Sequence, residues 1–79
     1  MELLKFRTNV ADQEALTKVA HYLNKEEKIS KWNLDTESTD KVLSVSGTEL
    51  NPQVIENAVE QAGYKAELIR IMGISGGDL

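Results

Sequence analysis

The apolar residues of this chain switch between a two-residue and a helical spacing, and the order of those switches leaves few folds open. Leu4, Phe6 and Thr8 share one side of segment 3–8, and Lys5 and Arg7 take the other, the signature of a half-buried strand. From Asp12 onward Ala15, Leu16, Val19, Ala20 and Leu23 form a stripe with helical spacing. Glu14 and Lys18 add a favourable pair one turn apart. The stripe fades in the charged run 24–28, so this helix is expected near 12–24. In segment 29–35, Trp32 and Leu34 point inward, while Ile29 is out of step and is placed at the strand entrance. The all-polar stretch 36–40 suits a hairpin loop, and 41–46 follows as a strand with Leu43 and Val45 inward, closed by Gly47.

The second helix, expected near 52–62, is the best marked. Asn51 caps it, Pro52 suits its first position, and Leu50 with Ile55 can staple its entrance. Val54, Ile55, Ala58, Val59 and Ala62 make its stripe, and Gly63 stops it. Tyr64, Ala66 and Leu68 then alternate as the inner face of a last strand. With right-handed crossovers, βαββαβ yields an α+β, ferredoxin-like plan: a four-stranded antiparallel sheet in order 4-1-3-2, with both helices on one face. The expected core is Phe6, Leu16, Val19, Leu23, Trp32, Leu34, Leu43, Val45, Ile55, Val59 and Leu68. One domain over 1–71 and a flexible tail over 72–79 complete the expected organisation.

Composition then removes whole classes of chemistry. Cysteine is absent from the 79 residues, which excludes disulfides, thiol nucleophiles, iron–sulfur clusters and thiolate metal sites. His21 is the single histidine, so a multi-histidine metal centre is excluded as well. Thirteen acidic against nine basic side chains give a net charge of −4, unsuited to a phosphate backbone. No apolar run reaches the roughly 18 residues of a membrane span, and the charged start lacks a leader's apolar stretch. The expectation is a cytoplasmic, non-enzymatic protein with no cofactor, no nucleic-acid partner and no membrane insertion, since no nucleophile–base constellation is found.

Four segments carry a family resemblance: the strand and loop 6–11, the spacing Ile29, Trp32, Leu34, the strand 42–47, and the helix 54–62 running into Gly63-Tyr64-Lys65-Ala66. Together they resemble the heavy-metal-associated domain, the fold of copper chaperones and of N-terminal modules of metal-pumping ATPases. The resemblance spans 3–69 and implies a ferredoxin-like domain for heavy-metal transport. That family carries Gly-Met-x-Cys-x-x-Cys in the first loop. The matching stretch here is Asn9-Val10-Ala11-Asp12-Gln13-Glu14-Ala15, with Asp12 and Ala15 in the cysteine places and Val10 at the methionine. Monovalent copper takes thiolate or thioether ligands, so the resemblance implies the fold and denies the metal transfer.

Individual residues carry competing readings. Asp12 is a helix cap, or with Glu14 a remnant oxygen site for a hard metal, although a calcium cage needs about six oxygens. The topology brings Tyr64 and Lys65 near Asp12, where Lys65 is either a charge substitute for the missing cation or an ordinary solvated lysine. His21 reads as a boundary residue, and Met1 with Met72 as a poor thioether pair. Trp32 reads as core. The open sheet face should show Leu3, Lys5, Arg7, Val42, Ser44, Lys65, Glu67 and Ile69, with Leu3 beside Ile69. Leu3, Val42, Ile69 and Ile71 are the candidate surface for a protein partner or a homodimer, with Ile74 following. The leading function is a metal-less interaction or regulatory module. The alternatives are a weak carboxylate-based metal binder and an ACT-like small-molecule regulator, the latter wanting a glycine that 8–11 lacks. An RNA-recognition module would need aromatics on its first and third strands. An acylphosphatase-like enzyme would need a phosphate-cradling loop, which is likewise missing.

Overall fold

The computed structural model describes residues 2–73 and arranges them as β1 (Glu2–Thr8), α1 (Gln13–Leu23), β2 (Ile29–Leu34), β3 (Val42–Gly47), α2 (Pro52–Gln61) and β4 (Ala66–Gly73). The sheet order is β2-β3-β1-β4, every neighbouring pair antiparallel. This is the expected ferredoxin-like order.

Local chemistry sets the element ends. Asp12 has extended backbone, and its Oδ1 accepts from the Ala15 amide at 2.8 Å, starting α1. Asn51 does the same for the Gln53 amide at 2.9 Å, with Pro52 in the first turn of α2. Gly63 takes φ +96°, the left-handed conformation that turns the chain out of α2. Gly47 is needed for space: a methyl group there would collide with the Lys28 carbonyl oxygen.

Both helices pack on one face of the sheet. Leu4, Phe6, Leu34, Leu43 and Val45 from the strands meet Ala15, Val19, Leu23, Ile55, Ala58 and Val59 from the helices. Thr8 is the one buried polar side chain among the described residues, and its hydroxyl is satisfied. It donates to the Lys41 carbonyl at 2.6 Å and accepts from the Val10 amide at 3.2 Å.

The expected core needs correction at its rim. Leu16, Trp32 and Leu68 are half-buried and pack around the cluster rather than inside it. Trp32 keeps its indole N–H outward, donating to Asn24 Oδ1 at 2.9 Å. Val54, placed in the α2 stripe, is 38% exposed, because Ile55, Ala58 and Val59 already fill the sheet-facing side. Val10 is fully buried although it sits in a loop.

Two irregularities reset the strand phases. Between β2 and β3, Ile29 lies opposite Gly47 and Lys31 opposite Ser46, so Ser30 is an extra residue. That insertion turns both Ile29 and Trp32 toward the core and explains why Ile29 breaks alternation. Between β1 and β4, Phe6 lies opposite Leu68 but Lys5 opposite Arg70, leaving Ile69 as the extra residue. β4 runs to Gly73, two residues past the boundary expected at 71. The rest of the expected tail, 74–79 with Ile74, lies outside the described residues, as does Met1.

Candidate functional site at the first loop

The loop from β1 to α1 is anchored at both ends and at its middle. Thr8 fixes its start, the buried Val10 plugs it into the core, and Asp12 closes it onto α1. Asn9 ties it to the neighbouring strand: its Oδ1 accepts from the Lys65 amide at 2.8 Å, just before β4. Asn9, Gly63, Tyr64 and Lys65 thereby border one shallow surface depression together with Arg7 and Glu60. The structure thus brings the loop residues and the Gly63-Tyr64-Lys65 turn to one end of the molecule.

The donor set at this end does not suit a soft cation. Asp12 uses a carboxylate oxygen on the helix terminus, and Ala15 presents a buried methyl group. Ala11 and Glu14 are exposed. Among the described residues no group of three or more His, Cys, Asp or Glu side chains is placed to hold a metal ion. The Lys65–Asp12 ion pair is not formed: the three ion pairs among the described residues are Arg7–Asp40, Arg7–Glu67 and Lys28–Glu49. It is the Lys65 backbone that reaches the loop, since Asn9 offers it an acceptor. His21 is exposed and meets Tyr22 edge-on, ring centroids 5.3 Å apart.

The four residues picked as a partner surface do not form one patch. Leu3 lies opposite Ser46 and Met72, and Val42 opposite Arg7, on the open face. The extra residue in β4 places Ile71 opposite Leu4, on the helix side of the sheet, where it is 60% exposed. Leu3 is therefore the neighbour of Met72, and Ile69 has no residue opposite it on β1. What the sequence reading missed is the pairing of Lys5 with Arg70; an inserted residue leaves no mark in the hydrophobic pattern.

No family model matches the sequence, and no curated protein matches it. Solved structures do. The copper(I)-loaded first domain of the human copper chaperone for SOD1 superposes with a TM-score of 0.73 at 24% identity, covering 90% of this chain and 94% of that one. A copper binding domain from HMA7, a P-type ATPase, gives 0.78 at 15% identity over 90% and 97%. A chain of the Atx1–Cu(I)–Ccc2a complex gives 0.73 at 12% identity over 89% and 97%. At such identities the likeness establishes the fold alone: this chain has the ferredoxin-like fold of these copper-binding domains. This chain carries it with no cysteine at all.

Proposed function

We propose that this chain is a non-enzymatic protein-interaction or regulatory module of the cytoplasm, built on a metal-transport scaffold whose ligands have been replaced. The observation that carries the reading is the pairing of Asp12 and Ala15. At the two places where the resemblance sets thiolates stand a helix cap and a buried methyl. Neither offers sulfur to a soft ion. The loop around them is held by this chain's own contact, the Asn9 link to the Gly63-Tyr64-Lys65 turn. A scaffold retained without its ligands is better suited to contact than to transfer. The Atx1–Cu(I)–Ccc2a complex supports the choice of a protein partner, since a chain of this fold takes part in it.

The two alternatives gain nothing from the geometry. A hard-metal site at Asp12 would draw on a carboxylate already capping α1, with Glu14 as its sole acidic helper. An ACT-like ligand site would need backbone freedom in the first loop, which Val10 and Thr8 pin to the core. No helix among the described residues is long and apolar enough to cross a membrane. The test is competition between the unmodified protein and a chromogenic chelator for monovalent copper and for zinc. The chelator is expected to keep both metals; tight stoichiometric uptake by the protein would overturn the reading.

A further inference from the structure

The side of the sheet away from the helices has a charge opposite to that of the whole chain. Its residues alternate with the buried Leu4, Phe6, Leu43 and Val45 and are fixed by the strand register. Lys5 and Arg7 stand there on β1, Lys31 on β2 and Arg70 on β4, against one strand carboxylate, Glu67. That is four cations to one anion, on a chain whose net charge is −4. The bulge at Ile69 sharpens the asymmetry, because it sets Arg70 directly opposite Lys5. Like charges facing each other across two strands are unfavourable in the isolated sheet. Ser44 and Ser46 beside them on β3 bring hydroxyls and no charge. Among the described residues, only Arg7 of these four cations has an ion-pair partner, with Asp40 at 3.4 Å and Glu67 at 3.6 Å. Of the carboxylates in the β2–β3 loop, Asp40 is the one paired with Arg7, and Asp35 accepts from the amides of Glu37 and Ser38.

We propose that this face is the docking surface for an acidic protein segment, an inference that rests on the interaction-module reading above and gives it a place and a partner chemistry. An acidic side chain set between Lys5 and Arg70 would turn their repulsion into attraction. Charge complementarity of this kind steers encounter and selects among partners. A second copy does not suit the face, since two such faces brought together would double the like-charge contact. RNA does not suit it either. Sheet-face readers of single strands stack bases on exposed aromatics, whereas Trp32 and Tyr64 pack toward the core cluster.

The test is a titration of the isotopically labelled protein with an alternating glutamate–valine peptide, read from amide chemical shifts. A lysine–valine peptide, an oligouridine and phosphatidylserine vesicles are run beside it. The expected shifts centre on Lys5, Ser44 and Arg70, weaken as salt rises, and are matched by none of the other three probes. Lys5→Glu and Arg70→Glu should each weaken the peptide about tenfold, as expected for charges that steer and hold an acidic partner. Both variants should keep or raise the unfolding temperature, which separates lost docking from lost folding. No response to the acidic peptide, or a stronger response to RNA or to vesicles, overturns the proposal. Shifts centred on Asn9, Asp12 and Lys65 would overturn the sheet-face assignment while leaving the interaction-module reading standing. Tight copper uptake in the separate competition would remove that reading itself.

Discussion

Asp12 stands at one of the two places where the resemblance sets a cysteine. A carboxylate at the start of α1 stabilises the helix by accepting the Ala15 amide, so the residue is kept busy by folding. Asp12→Ala should cost about 0.5–2 kcal/mol in urea unfolding, and Asp12→Asn much less, because asparagine caps nearly as well. A large loss in both variants would mean that the negative charge, rather than the hydrogen bond, is what matters. The cap was legible in the sequence because the chemistry is local: an aspartate three residues before the first apolar helix position. Val10 was not. Its burial depends on how the loop folds back under Thr8 and over the core, and no spacing rule covers a lone apolar residue between Asn9 and Ala11. Of the two readings of Lys65, the exposed lysine outside any described ion pair is the one that stands. Its backbone contact to Asn9 was not legible, since proximity in topology does not tell which atom of a residue meets the loop.

Elements were legible wherever their period was clean. Leu4, Phe6 and Thr8 alternate without fault, and β1 is one of the two central strands, with partners on both sides. Ile55, Ala58 and Val59 sit one turn apart, and they are the buried side of α2. Phase was lost where a strand holds an extra residue. Ser30 and Ile69 are ordinary strand residues in sequence, and only pairing reveals that each is surplus. The register makes Ile69 removable. Deleting it should leave Phe6 opposite Leu68 and Lys5 opposite Arg70, with a stability change within about 1 kcal/mol and the same cross-strand proton contacts by NMR. Loss of the Lys5–Arg70 contact in that variant would show that the bulge itself holds the register. Burial ranks the helix positions in the same way. Leu23 is fully buried and Leu16 half-buried. Leu23→Ala should therefore cost roughly 2–5 kcal/mol in denaturant unfolding. Leu16→Ala should cost roughly half of that, the share of side chain still in water being lost at no penalty. Equal losses would mean that α1 is rotated from the orientation described.

For the whole molecule, the uneven placement of charge is the main result beyond the fold. A net charge of −4 conceals a sheet face where cations outnumber carboxylates. The sequence displayed the ingredients, with Lys5 and Arg7 on the polar side of their strand, but not the meeting of Lys5 with Arg70, which depends on one inserted residue. That meeting has a stability signature of its own. Arg70→Glu should raise stability by about 0.2–1 kcal/mol at low salt, with the gain shrinking at high salt. An unchanged or lowered unfolding midpoint at low salt would show that the two cations already find relief in solvent.

The central proposal is that this fold, shared with copper-binding domains, stands here without thiolate ligands at Asp12 and Ala15. It is tested most directly by returning the thiols. The Asp12→Cys, Ala15→Cys double variant places two sulfurs around the first turn of α1, at the places where the resemblance sets them, in a frame still closed by Asn9 and the Gly63 turn. Measured against a chromogenic chelator, the double variant should take up one monovalent copper ion per chain while the unmodified protein takes up none. A folded double variant that binds copper no better than its parent would contradict the account, because the fold alone would then not bring the two positions into a metal site.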